Sequence, residues 1–161
     1  CLYRMREKFG AGLKLYDPAS FALEFLMPRL PPPRPAGVVA IHHTCSAIKL
    51  GIEPALREVA RRCAERVVEP EGIECCGWAG DRGFSTPELA ASALSGLAER
   101  LPEDCAAGYS TSRTCEIGLA LHAKRPYRPI LALVEEATCR TDVSNAHAPR
   151  AGTTIDRTAT D

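Results

Sequence analysis

The stretch Gly37-Val38-Val39-Ala40-Ile41-His42 decides the fold of this chain. It is short, almost continuously apolar and rich in β-branched side chains, which is typical of a strand buried on both faces of a parallel sheet. Weaker strand patterns follow at residues 66–69 and 108–111, with helical patterns between them. Strands that alternate with helices imply parallel crossovers. We therefore expect an α/β fold, a small parallel sheet flanked by helices, with strands that include residues 38–42, 66–69 and 108–111.

The predicted helices carry apolar residues at helical spacing. Residues 52–64 place them on one face, with arginines elsewhere. The sequence at 85–88 has the chemistry of a capped helix start, with Ser85 or Thr86 as the cap, and the apolar positions behind it continue to Leu101. Two further helices are expected at about 115–123 and 129–138.

A leading segment precedes this alternation. Asp17-Pro18 is typical of a helix N-cap followed by proline in the first turn, and the apolar run at 19–27 continues that helix. The proline-rich stretch at 31–35 predicts a stiff, extended linker. We therefore divide the chain into residues 1–36 (leading helix and linker), 37–139 (compact cysteine-rich domain) and 140–161 (a disordered tail).

Composition excludes several classes of function. The 161 residues include 20 basic and 20 acidic side chains, and a net charge of zero argues against a nucleic-acid-binding surface. No apolar run approaches the roughly 20 residues of a membrane span, and no signal peptide is visible. Because the first residue is Cys1 rather than Met, we expect a fragment of a longer protein. We expect it in the cytoplasm, with the inner face of the membrane as a further option.

Eight cysteines are the feature that points to chemistry. They are too few for a disulfide scaffold, in which cysteine usually exceeds about 8%, and cysteine clusters in cytosolic proteins are more often metal-binding or catalytic. Four of them follow the predicted strands: Cys45 the first, Cys75 and Cys76 the second, Cys115 the third. Since open parallel sheets place their sites at the carboxyl ends of strands, we expect these sulfurs to converge. Four thiolates match the ligand count of a tetrahedral zinc or an iron–sulfur cluster.

The other cysteines are expected to have no role in that site. Cys63 lies on the apolar face of a helix, where a free thiol behaves as a small hydrophobe. Cys105 falls in a polar loop, and Cys1 and Cys139 lie near segment ends. His43 lies two residues before Cys45 and is a candidate for a hydrogen-bond donor to a metal ligand or for an occasional metal ligand itself. An ordinary core or surface histidine is the favoured interpretation.

The cysteine motifs resemble a known family. His43-Thr44-Cys45, Cys75-Cys76-Gly77 and Cys115 are similar to the cysteine-rich CCG domain of heterodisulfide reductase and of the iron–sulfur subunits of anaerobic glycerol-3-phosphate and lactate-utilisation enzymes. Longer phrases, at 75–84 and 108–118, resemble more closely the C-terminal part of FAD-linked iron–sulfur D-lactate dehydrogenases of the glycolate-oxidase type.

That resemblance, over roughly residues 17–138, implies an electron-transfer domain with a [4Fe–4S] cluster. The implied cluster ligands are Cys45, Cys75, Cys76 and Cys115. An upstream flavin domain would bind FAD and oxidise a D-2-hydroxy acid, so this fragment alone is expected to have no dehydrogenase activity. The implied partners are that flavin domain, ferredoxin-like domains and a respiratory electron acceptor. Ser112 departs from the Cys-x-x-Cys ending of many CCG domains, which weakens the case for a noncubane cluster.

Two other interpretations remain open at this point. In the first, the four cysteines hold zinc or no metal, and the domain docks a respiratory partner. In the second, Cys75 and Cys76 form a strained vicinal disulfide with a thiol-redox role. Iron, zinc or neither in anaerobically purified protein would separate the three.

Overall fold

The computed structural model describes residues 2–139, except for the side chain of Ala11. All of its strands pair in parallel within a single sheet of order β2-β1-β3-β4. The strands are β1 (Ala36–Ile41), β2 (Ala64–Val68), β3 (Cys105–Ser110) and β4 (Tyr127–Pro129). The predicted α/β fold, a small parallel sheet flanked by helices, is confirmed. The expected disordered tail at 140–161 and Cys1 lie outside the described residues.

Helices connect the strands and continue at both ends of the described chain. They are α1 (Leu2–Phe9), α2 (Pro18–Phe21), α3 (Cys45–Leu50), α4 (Glu53–Cys63), α5 (Arg82–Ser85), α6 (Pro87–Ala93), α7 (Arg113–Ala123) and α8 (Ile130–Thr138). The predicted cap of α2 is confirmed, because an Asp17 carboxylate oxygen accepts the backbone N–H groups of Ala19 and Ser20 at 2.9 and 3.1 Å. A π-helix (Ala22–Leu26) continues α2 directly.

Two details of the predicted secondary structure are wrong. The helix expected to reach Leu101 ends at Ala93, and Gly96, with φ +73°, lies in the turn that follows. Strand β4 was not expected, because it has three residues and its last one, Pro129, also precedes α8 directly. So short a segment shows no measurable alternation of apolar and polar residues.

The sheet separates two hydrophobic cores. Val39 and Ile41 of β1 point into the first core, against α2, α4 and α8, whereas Ala40 points into the second. This alternation is the expected period of two along a strand. The second core contains Cys76, Trp78 and Cys115 together with leucines. Thus the helix-covered face that carries this second core also carries part of the predicted cysteine site.

The strand order creates a natural site at one edge. The chain goes from β1 to β2 on one side and then returns to the other side of β1 with β3. The order of strands therefore reverses between β1 and β3, and open α/β sheets bind ligands outside the carboxyl ends of strands at such a switch point. Thr44, after β1, and Thr111, after β3, lie here with their hydroxyl oxygens 3.5 Å apart.

Candidate functional site

Each of the four candidate cysteines lies on a segment that leaves the carboxyl end of a strand. Cys45 is the first residue of α3, which follows β1, and the Thr44 hydroxyl caps that helix by accepting the Ala47 N–H at 3.1 Å. Cys75 and Cys76 lie between β2 and α5. Cys115 lies in the first turn of α7, which follows β3. Three separate loops thus carry the four thiols to one edge of the sheet.

Cys76 and Cys115 are in direct contact. Their sulfur atoms lie 2.9 Å apart, and both residues are buried in the second core, with 5% and 7% of their surfaces exposed. A disulfide would hold the sulfurs at about 2.05 Å, and both residues are free thiols. The structure therefore brings two of the four predicted ligands together without a covalent bond.

Cys45 and Cys75 are exposed at the surface. The Cys75 sulfur accepts the backbone N–H of Gly77 at 3.4 Å, and Cys45 lines an open surface cavity with Tyr3. Within residues 2–139, no three or more His, Cys, Asp or Glu side chains come close enough together to hold a metal ion. The buried pair is therefore the part of the site in direct contact, and the two exposed thiols lie near enough to act on it: Cys75 contributes to lowering the pKa of Cys76, and the charge of Cys45 contributes to raising the pKa of Cys115.

The buried pair shares one proton unevenly. The hydrogen bond with Cys115 lowers the pKa of the Cys76 thiol to about 6, and the backbone N–H of Trp78 contributes to this shift against the effect of burial. The pKa of Cys115 is raised by its hydrogen bond to Cys76, by burial and by nearby charge, including that of Cys45. The contact therefore makes Cys76 the more acidic thiol of the pair.

Glycines shape the loop that carries Cys76, for two different reasons. Gly77 has φ +64°, and a Cβ atom there would lie 2.5 Å from the backbone oxygen of Leu89. Gly80, with φ +73°, has open space around it. Gly83 is helical and instead makes room for Trp78, whose ring atoms would lie as close as 2.2 Å to an added Cβ. Only Gly77 and Gly80 use the left-handed backbone conformation that glycine allows.

The histidines beside Cys45 are held by the fold. His43 Nε2 lies 2.9 Å from a carboxylate oxygen of Glu69, which also accepts hydrogen bonds from Arg57 at 2.8–3.1 Å. Burial lowers the pKa of His42 to about 4, so this residue is neutral at physiological pH. His43 thus has a structural partner, in keeping with the favoured interpretation.

The remaining cysteines are placed as follows. Cys63 is fully buried in the first core, as predicted, and burial raises the pKa of its thiol to about 11. Cys139 is exposed just after α8. The expectation that Cys105 lies in a polar loop is wrong, because it begins β3 and is 1% exposed. The polar Pro-Glu-Asp sequence just before Cys105 resembles a loop, so the start of the strand was not recognised.

Trp78 packs beside the buried cysteine pair. Its indole is buried in the same core as Cys76 and Cys115, and its Nε1 has no hydrogen-bond partner among the described residues. The only signal in the sequence was its position two residues after Cys76.

Comparison with known proteins yields no relative. No protein-family model, no curated protein and no solved structure matches the chain. In the part of the chain that the structure describes, no helix combines the length and apolar character needed to cross a bilayer.

Proposed function

We propose that this chain is an iron–sulfur electron-transfer domain of a larger FAD-dependent oxidoreductase acting on D-2-hydroxy acids such as D-lactate. The proposed ligands of its [4Fe–4S] cluster are Cys45, Cys75, Cys76 and Cys115. The observation that carries the proposal is the 2.9 Å contact between the sulfurs of Cys76 and Cys115, on two loops from different strands at the carboxyl edge. The proposed location is the cytoplasm, including the inner face of the membrane.

The chemistry of the four side chains fits such a group. Thiolates are soft ligands that select iron–sulfur clusters and zinc. Cys76, with its pKa lowered to about 6, already has the ionic form that binds a metal. The buried pair supplies two ligands held by the core, and the thiols of Cys45 and Cys75 are exposed.

Binding requires the buried pair to open. Two sulfurs on one zinc with bonds of about 2.3 Å lie about 3.8 Å apart in a tetrahedral site, compared with 2.9 Å between Cys76 and Cys115. The proton shared by the pair must leave at the same time, because metals bind thiolates. Cys76 and Cys115 would each donate one thiolate to the group, and the positive charge of the iron or zinc would replace the proton in stabilising them.

The resemblance of the cysteine motifs to CCG domains supports the wider assignment. A cluster supplies a site that accepts and releases single electrons, while this chain's residues hold it and shield it from water on the side of the second core. The proposed donors are upstream flavin and ferredoxin-like domains, and the proposed acceptor is a respiratory carrier. The fragment alone would transfer electrons but would not oxidise the hydroxy acid.

Anaerobic reconstitution with iron and sulfide tests this proposal. We expect about four iron and four sulfide per chain and a broad visible absorption, measured by metal analysis and spectroscopy. Stoichiometric zinc without iron would instead support the metal-binding docking module. Binding of neither metal would overturn the proposal.

The same contact favours a second candidate function, a dithiol–disulfide couple. Oxidation would join the sulfurs of Cys76 and Cys115. Two electrons and the one proton of the pair would pass to a small disulfide such as oxidised glutathione, which takes a second proton from water and becomes two thiols. The partner of Cys76 is then Cys115, since these sulfurs are already in contact, rather than the neighbouring Cys75.

For metal-free protein treated with oxidised glutathione, we expect peptide mapping to find a bridge between the Cys76 and Cys115 peptides. Cys115→Ser serves as the control, because it removes the partner and leaves the vicinal pair intact. A bridge between Cys75 and Cys76 in the wild-type protein would contradict the expected pairing. Reconstituted protein that keeps its iron and forms no bridge would favour the cluster over this couple.

A further inference from the structure

Trp78 connects the two halves of the buried cysteine pair. Its side chain is 4% exposed and follows Cys76 by two residues. The ring lies directly over Gly118 of α7, where an added Cβ would be 2.8 Å from Trp78 Cε3. Gly118 is three residues after Cys115, so both lie on the same face of α7. The indole therefore packs the Cys76 loop onto the part of α7 that carries Cys115.

The indole ring of Trp78 also packs against α5. An added Cβ on Gly83 would lie 2.2–2.5 Å from three atoms of the indole, so the ring fits only against a glycine. Phe84, the next residue, meets the indole edge-to-face with ring centroids 5.2 Å apart and is itself 70% exposed. These contacts confine the orientation of Trp78.

The indole nitrogen has no acceptor in its buried place. Trp78 Nε1 is out of contact with solvent and has no hydrogen-bond partner among the described residues. Leaving a buried donor without a partner is energetically costly, so such groups generally mark a strained or functional position. The backbone N–H of the same residue contributes to lowering the pKa of the Cys76 thiol, which places Trp78 beside that sulfur. An anionic sulfur bound at this site would supply the missing acceptor.

We propose that Trp78 is a positioning residue of the metal–sulfur site. Its ring keeps the loop of Cys76 packed against the turn of α7 that carries Cys115. Its Nε1–H donates a hydrogen bond to a thiolate or sulfide sulfur of the bound group. This inference rests on the proposed function. It adds the Trp78 Nε1–H group as a specific hydrogen-bond donor. It also explains the glycines at 83 and 118, because larger side chains there would collide with the indole ring.

Two substitutions separate the ring from its N–H group. Trp78→Phe keeps an aromatic ring between Gly83 and Gly118 but removes the donor, whereas Trp78→Ala removes both. The matched control is Tyr127→Phe, which removes another buried polar atom without a partner, the Tyr127 hydroxyl, from the same core.

The first readout is the midpoint potential of the reconstituted cluster, measured by anaerobic redox titration. A hydrogen bond to sulfur stabilises the more negative, reduced state, so we expect Trp78→Phe to shift the potential to a lower value and Tyr127→Phe to leave it unchanged. A Trp78→Phe protein with full iron content and the wild-type potential would overturn the proposed donor.

The second readout is the rate at which a chelator removes metal. We expect loss about tenfold faster from Trp78→Phe, equivalent to one charge-assisted hydrogen bond, and faster still from Trp78→Ala. This measurement applies equally to a zinc-loaded site. Equal rates of metal loss for wild type and Trp78→Phe would contradict the inference. This comparison does not depend on Trp78→Ala, which removes the ring and could fail to fold.

The wild-type protein distinguishes failure of this inference from failure of the proposed function. If the wild-type protein binds metal and Trp78→Phe has the same midpoint potential and metal-loss rate, the proposed function stands and the proposed role of Trp78 is refuted. Wild-type protein that binds neither iron nor zinc removes both. Because Trp78 is the single tryptophan of the chain, a change in its fluorescence on metal loading, absent in Cys76→Ser, would support the placement of the metal beside it.

Discussion

Replacing Cys76 with serine is expected to abolish iron binding by the reconstituted chain, whereas replacing Cys63 with serine leaves the iron content unchanged. Cys76 combines contact with Cys115 at 2.9 Å and a pKa lowered to about 6, so it is the readiest thiolate of the site. A serine hydroxyl stays protonated near neutral pH and is a poor ligand for soft metals.

Cys63 is a matched control because it is a buried cysteine with the opposite chemistry. It is fully buried, and burial raises the pKa of its thiol to about 11, so it remains a neutral core residue. Its replacement buries a hydroxyl and is expected to cost about 1–3 kcal/mol of unfolding free energy. Iron and sulfide per chain and urea unfolding are the measurements. Equal iron loss in both variants would count against the assignment of Cys76.

Gly77→Ala is expected to lower the free energy of unfolding by about 2–5 kcal/mol. The left-handed backbone at φ +64° contributes about 1–2 kcal/mol, and overpacking contributes about 1–3 kcal/mol. The added methyl group would lie 2.5 Å from the Leu89 backbone oxygen and 2.8 Å from the Ala93 Cβ. Because α6 cannot yield without losing its core contacts, the loop that carries Cys76 must move instead.

Gly80→Ala is the control for this prediction. Its φ of +73° carries the same backbone strain, but no atom lies within 4 Å of an added Cβ. We expect a loss of only about 1–2 kcal/mol and near-normal metal binding, against a reduced metal content in Gly77→Ala. Urea unfolding and metal analysis of both proteins provide the comparison. Similar losses in the two variants would show that the contact with α6 is unimportant.

Much of this fold could be predicted from local patterns. Residues 37–42 read as a buried parallel strand because their β-branched, apolar side chains suit both faces of a sheet, and β1 occupies 36–41. Asp17 read as a helix cap because its carboxylate reaches backbone groups only two and three residues away. Such contacts depend on near neighbours in the chain, so the sequence alone contains them.

The sequence by itself determined the parallel α/β fold and the placement of Cys45, Cys75, Cys76 and Cys115 on segments that follow strands. Only the tertiary structure decided that Cys76 meets Cys115, 39 residues further along the chain, and that Trp78 lies against Gly83 and Gly118. The physical reason is the distance along the chain between the residues in contact. Strand and helix patterns express contacts within a few residues, whereas sulfur contacts between loops depend on how α5, α6 and α7 pack, to within fractions of an ångström, on the second core.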